Sequence, residues 1–172
     1  MSATRTMGIN VTDVGTSKVL PLGFVYREPA SGDDYGEKHW VYIYNDGSAS
    51  MTAGAIIIRD PSAASTSAPV GLLYGCDIAG ASTPVPAMSI VGVAQHTIAA
   101  GSYGFVQSKG KCLVQCGTAD ITADLAITSG GSGAGDAVDF ADGQEECVFG
   151  FSLEAETTNN TTFDAYINCP GA

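Results

Sequence analysis

Apolar positions along this chain come in short bursts that alternate with polar residues or stop within five or six positions. Residues 40–44 (WVYIY) are the clearest case, because aromatic and β-branched side chains follow one another there, and they predict a strand. The same reading predicts strands at 22–27 (LGFVYR), 55–59 (AIIIR), 70–74 (VGLLY), 89–95 (SIVGVAQ), 103–107 (YGFVQ) and 111–116. Residues 126–128, 147–153 (CVFGFSL) and 163–169 (FDAYINC) complete the series. Between 98 and 110 the chain reads IAAGSYGFVQSKG, a strand–turn–strand unit in which Gly101 and Gly104 form the turn and Gly110 stops the second strand.

The punctuation between the bursts belongs to turns. Residues 28–39 are rich in Gly, Asp and Pro and read as a loop, and Asn45-Asp46-Gly47 reads as a turn in which Asp-Gly supplies positive φ. Asp60-Pro61 ends one strand, 61–69 is a run of small residues, and 81–88 carries two prolines and reads as an irregular crossover. Residues 129–137 (SGGSGAGDA) read as a flexible glycine loop. No segment sustains an amphipathic helix over three turns; 122–126 allows one short helical turn. The expected fold is therefore all-β, an antiparallel sandwich or barrel of about eight or more short strands. Residues 1–20 are short of large apolar side chains and read as an extended N-terminal arm ahead of a single β-rich domain at 21–172. No repeat of fixed period is visible.

Composition narrows the class. The chain has 172 residues, 45% of them hydrophobic and only 15% charged, with 22 glycines, so it is neither disordered nor collagen-like. Its net charge of −11 is unevenly spread. All seven Lys and Arg lie in residues 1–111, whereas 112–172 hold ten of the eighteen acids and no base. Such a half disfavours direct nucleic-acid binding, which needs a basic footprint; it reads as a solvated acidic surface, with the near-neutral half left to dock. The opening residues MSATRTMGIN lack the apolar core of a signal peptide, and no apolar run is long enough for a membrane span, so cytoplasmic synthesis and no membrane partner are expected. Sequons at Asn10, Asn159 and Asn160 carry little meaning in that setting.

Candidate chemistry is sparse. The five cysteines, Cys76, Cys112, Cys116, Cys147 and Cys169, form no C-x-x-C pair and read as buried thiols. On one strand, Cys112 and Cys116 would stand about 13 Å apart, too far to bridge. The two histidines, His39 and His96, have no partner at ligand spacing and read as structural. Residues 129–135 lack both the G-x-S-x-G elbow and the Lys-Ser/Thr of a phosphate loop. The acidic run Asp136, Asp139, Asp142, Glu145, Glu146 lacks EF-hand spacing and reads as a solvated loop. The strand aromatics Trp40, Tyr42, Tyr44, Phe105, Phe149, Phe151, Phe163 and Tyr166 are not interleaved with bases, and they read as core rather than as a base-stacking platform. No catalytic, cofactor-binding or metal-ligating residue is assigned, no cofactor is expected, and an enzyme is disfavoured.

Two stretches carry a resemblance. The pattern GVAQ-x-x-IAAGSYGFVQ-x-x-G at 92–110, with WVYIYNDGSASMTAGAIIIRD at 40–60 upstream of it, resembles segments of tailed-phage and cyanophage head proteins. The family this implies is that of small capsid decoration, or cement, proteins. The resemblance implies a β-rich virion protein on the capsid exterior, often a homotrimer, whose partner is the major capsid protein and whose arm clamps neighbouring shell subunits. A receptor- or glycan-binding module of a head or tail fibre is the alternative. The acidic C-terminal third has no counterpart in that pattern.

Overall fold

The structure is a computed structural model, and it describes residues 8, 10–30, 36–60, 74–118, 120–159 and 161–172. Ten strands run in chain order: β1 Val25–Glu28, β2 Lys38–Asn45, β3 Ile56–Arg59, β4 Gly75–Ile78, β5 Ile90–Val93, β6 Tyr103–Gln115, β7 Ala126–Ser129, β8 Ala137–Asp139, β9 Val148–Ser152 and β10 Thr162–Asn168. Two single 3-10 turns lie at Ala87–Ser89 and Glu145–Cys147. The expected all-β class is what the chain adopts.

The pairing closes on itself. The sheet order is β1-β2-β4-β3-β5-β6-β10-β9-β7-β8, and an additional pairing joins β2 to β6. The first ring is therefore β2-β4-β3-β5-β6. A second ring runs β6-β10-β9-β7-β8 and returns to the end of β6 through an isolated bridge between Cys116 and Ala137. Strand β6 belongs to both. Its first half pairs with β2, from Tyr44↔Tyr103 to His39↔Lys109, and its second half pairs with β10, from Asn168↔Lys109 to Thr162↔Gln115.

Two cores explain why the apolar runs are continuous rather than alternating. Ile57 and Val91 point into the first core with Val41, Ile43, Met51 and Val106. Their neighbours Ile56 and Ile90 point the other way, into the second core with Val114, Ile127, Phe149, Phe163 and Ile167. A strand buried on both faces reads as an unbroken hydrophobic run, and AIIIR and SIVGV are such strands. Strand β2 is buried on both faces too: Val41 and Ile43 face the first core, while Trp40 and Tyr42 meet a layer formed by Val11, Leu20, Leu22, Phe24 and Tyr26. Truncating a core aromatic such as Phe149 or Phe163 to Ala costs about 3–5 kcal/mol in comparable sites.

Several local expectations change. Gly110 does not stop a strand: β6 runs thirteen residues straight through it, with φ +99, and a Cβ there would sit 2.9 Å from the carbonyl oxygen of Glu37. Gly101 makes its turn at φ +71, but Gly104 lies inside β6, where a Cβ would come within 3.0 Å of Ile98. The 45–47 turn owes nothing to positive φ; the buried Asn45 side chain accepts from the Gly47 amide (3.1 Å) and donates to the carbonyls of Ala49 and Ile98 (2.9 Å each). The 129–137 loop is packed rather than loose, with Gly130 against Pro84 and Gly135 against Ala55 and Ile78, and its end forms β8. Residues 123–124 make a turn with Asp124 at φ +62, not a helical turn. Of the strand expected at 70–74, residues 70–73 lie outside the described residues, and the strand here is Gly75–Ile78.

Sharing β6 between rings leaves a gap along its other edge. The register of β5 with β6 ends at Val93↔Gln107, and the next backbone partner is Gly54, whose carbonyl accepts from the Gln115 amide at 2.8 Å. Two side-chain amides fill the interval. Gln107, itself buried, donates to the carbonyls of Lys109 (3.0 Å) and Lys111 (2.9 Å). Gln95 donates to the carbonyl of Leu113 (2.9 Å) and accepts from its amide (3.2 Å). Unpaired backbone groups in such a place carry their full desolvation cost. Gln107→Leu keeps the volume and removes both bonds, so it is expected to lower stability by about 1–3 kcal/mol, read as a fall in the urea midpoint with an unchanged m-value.

Candidate functional site

Alternation along β2 puts Trp40, Tyr42 and Tyr44 on one face, and the antiparallel register sets Tyr42 beside Phe105 and Tyr44 beside Tyr103. The rings form a contiguous aromatic floor. Tyr42 and Phe105 centroids lie 5.1 Å apart, Tyr44 and Tyr103 4.7 Å apart, and Tyr42 stacks on Tyr103 at 6.1 Å and 15°. Trp40 donates its indole N–H to Glu28 at 3.1 Å.

The described part of the expected arm lies across this floor rather than projecting from it. Gly15 and Tyr103 exchange two backbone hydrogen bonds of 3.1 and 2.8 Å, and the Val19 amide donates to the Tyr42 hydroxyl at 3.3 Å. Val11 and Leu20 pack on the aromatics, while Val19 remains 77% exposed. The fit is incomplete. A cavity of about 320 Å³ remains between this segment and the rings, with Tyr42, Tyr103 and Phe105 as its floor and Asn10, Asp13 and Ser17 among its rim. That volume is at the small end of ligand pockets. Aromatic faces below and amide, carboxylate and hydroxyl groups at the rim suit a single hydroxylated ring or an inserted side chain.

A second, shallower groove of about 230 Å³ opens on the outward face of β6, lined by Lys38, Trp40, Gln95, Gln107, Lys111, Cys112, Leu113 and Asp164. Lys111 and Asp164 form an ion pair of 2.6 Å across its rim. Beside it the register aligns Arg27, His39, Lys109 and Asn168 across β1, β2, β6 and β10. His39 also contacts Glu37 at 2.7 Å, and this bond, with Arg27 and Lys109 nearby, holds the Glu37 carboxyl below its usual range. The cross-strand row was invisible in the sequence, because its members come from four separate stretches.

The residues singled out for chemistry are scattered. His39 sits in that row, and His96 stands apart from it. Burial pushes the thiols of Cys76, Cys112 and Cys169 well above the ordinary cysteine range, which keeps them protonated and unreactive. All five thiols are buried and free, as small apolar fillers. The acidic run does not behave as one solvated loop. Asp136 is buried, accepting from the Gly133 amide (2.6 Å) and from Gln115 (2.8 Å), and Asp139 accepts from the Thr122 amide (3.0 and 3.2 Å). Asp142, Glu145 and Glu146 are the exposed members. Of the aromatics expected in the core, Phe151 is instead 42% exposed and stacks on Tyr166 at 5.5 Å. Among the described residues no group of three or more His, Cys, Asp or Glu is arranged to hold a metal ion, and no helix is long and apolar enough to cross a membrane.

His96 carries the clearest pH dependence. Both ring nitrogens are buried with no hydrogen-bond partner among the described residues, and burial lowers its pKa from the usual 6.5 against a weaker pull from Asp13. The unfolded chain therefore takes up this proton first as pH falls. The neutral ring contributes stability above pH 6.5, and that contribution is lost as pH drops through 6.5 towards the folded-state value. His96→Leu is expected to flatten the fall in urea midpoint over that interval, while an unchanged slope would assign the pH dependence to the carboxylates.

No protein-family model matches the chain, and no curated protein matches it. Among solved structures, the N base of head fiber gp8.5 in bacteriophage phi29 is similar, with a TM-score of 0.47 and 17% identity over 75% of this chain and 94% of that one. A likeness so distant carries no functional argument.

Proposed function

We propose that this protein is a virion structural protein, a cement protein that binds the outer surface of an assembled phage head and strengthens contacts between major capsid subunits. The observation that carries the reading is the segregation of charge between the two rings. The described Lys and Arg all lie in the part of the chain that ends at Lys111, in the N-terminal segment, on the first ring or on β6, whereas β7–β10 and their loops hold acids and no base. A near-neutral ring suits close apposition to a lattice, and an acidic ring suits the solvent side. The two stretches that resemble head proteins, 40–60 and 92–110, supply most of β2, all of β3, half of β5 and the first eight residues of β6, so the resemblance falls on the ring assigned to docking. The segment over the aromatic floor, held by few bonds, is the part suited to reach a neighbouring subunit.

The effect follows from linkage. A protein that binds the closed lattice but not free subunits stabilises the shell by RT ln(1 + [L]/Kd), about 2.7 kcal/mol per site at a hundredfold excess over Kd. Purified protein added to heads that lack it is expected to bind and to raise the temperature at which they release DNA. A version without residues 1–20 is expected to bind more weakly. Failure to bind any head lattice defeats the reading. A receptor- or glycan-binding fibre module is the second reading, favoured by the aromatic-floored cavity of about 320 Å³ with its polar rim. A selective hit on a glycan array that Tyr103→Ala abolishes would put it first.

A further inference from the structure

The lining of the cavity above Tyr42, Tyr103 and Phe105 has an electrostatic character that selects its occupant. The Tyr42 ring lies 5.1 Å from Phe105 and 6.1 Å from Tyr103, centroid to centroid, so one group resting on the floor meets more than one ring. The face of an aromatic ring is the negative end of its quadrupole and attracts a cation within about 6 Å of its centre. Asp13 adds a carboxylate to the rim, and no Lys or Arg stands among the described lining residues. Lys18, between the lining residues Ser17 and Val19, is exposed and outside the lining. The chain as a whole carries −11, which draws cations towards it.

The hydrogen bonds of the covering segment narrow the choice further. The Asp13 amide donates to the Asn10 carbonyl at 3.0 Å, and the Asn10 side-chain amide donates to the Asp13 carboxylate at 2.7 Å. The Asn10 side-chain oxygen accepts from the Thr12 hydroxyl at 2.9 Å and from its amide at 3.4 Å. Both ends of Asn10 are thus engaged within the segment, which leaves few rim groups to meet the many hydroxyls of a neutral sugar. A purely apolar plug would take water from the Asp13 carboxylate without pairing it, at a cost. An anion would meet a carboxylate and ring faces of its own sign. His96, the histidine that Asp13 acts on, is held by burial below its usual 6.5, so at neutral pH it carries no charge to compete for Asp13.

We propose that this cavity binds an organic cation of side-chain size, a guanidinium or alkylammonium group that rests on the rings of Tyr42 and Tyr103 and pairs with Asp13. A volume of about 320 Å³ suits the end of an arginine or lysine side chain, or a small quaternary ammonium compound. Val14 and Val19, 39% and 77% exposed at the rim, cover the aliphatic stem of such a group. The site does not depend on the virion role, because the occupant is recognised by the chain alone.

The test is a titration of the isotope-labelled chain, followed by NMR at neutral pH and low salt. The probes are N-acetyl-arginine amide, its uncharged isostere N-acetyl-citrulline amide, choline and methyl glucoside. The arginine amide and choline are expected to shift the amides of Gly15, Val19 and Tyr103 saturably, with a Kd on the order of 1 mM that weakens with salt. The citrulline amide is expected to bind about fivefold more weakly or less. Asp13→Asn and Tyr103→Leu are each expected to weaken both cations about fivefold or more, whereas Tyr103→Phe keeps the ring and keeps the binding. Asp13 is exposed, so Asp13→Asn is expected to melt with the unaltered chain and to isolate the charge. Tighter binding of the arginine amide than of choline assigns a protein side chain as the natural occupant, and the reverse assigns a free quaternary ammonium ligand; either supports the site. Cations that cause no saturable shift, a citrulline amide that binds as well as the arginine amide, or Asp13→Asn and Tyr103→Leu chains that bind like the unaltered one would each overturn the proposal. Preferential binding of methyl glucoside would also overturn it and favour the glycan reading.

Discussion

One strand has to satisfy two closed sheets, and most of the molecule follows from that. β6 is long enough to give its first half to β2 and its second half to β10, and both partners use the same edge in turn. The opposite edge has β5 only as far as Gln107. The carbonyls of Lys109, Lys111 and Leu113 would stand without a strand partner, and the amides of Gln107 and Gln95 take that place. Two glutamines thus do the work of a missing piece of strand, and they close a length of edge that would otherwise be open to another chain. Gly110 contributes at the same spot: its positive φ lets the strand carry on where the chain of Glu37 and Lys38 crosses closely.

The sequence made the class and most strands legible, and the failures have physical causes. WVYIY, AIIIR, SIVGV, CVFGF and FDAYIN are strands because local propensity and burial agree there. Gly110 read as a stop because glycine usually punctuates, whereas here it serves a close backbone crossing inside a continuous strand. β8 was hidden because three residues, Ala137–Asp139, leave too little pattern, and Asp139 read as part of an acidic loop. Asp136 looked solvated because nothing local shows that Gln115, twenty-one positions away, donates to it. The expected arm was judged by its small residues, yet Val11 and Leu20 are enough to hold it against Tyr42 and Phe105.

The same topology arranges charge. Because the second half of the chain supplies all of β7–β10, a composition bias along the sequence becomes a bias between rings in space. β6 is the seam: its Lys109 and Lys111 are the last bases in the chain, and Lys111 meets Asp164, an acid from beyond the seam, as an ion pair. A half-exposed pair of this kind adds little stability on its own. Its importance is positional, since it sits at the boundary between the near-neutral ring and the acidic one. The aromatic floor under residues 10–20 lies on the first ring, apart from the acidic strands β7–β10.

Whether the two rings form one cooperative body is the question on which this architecture rests, and native-state hydrogen exchange addresses it directly. A strand shared by both rings predicts that the slowest amides of the first ring, such as Ile43 and Val106, and those of the second, such as Val114 and Ile167, exchange through one common opening with one free energy and one denaturant dependence. Two separate groups, with the second ring opening while the first stays closed, would contradict it.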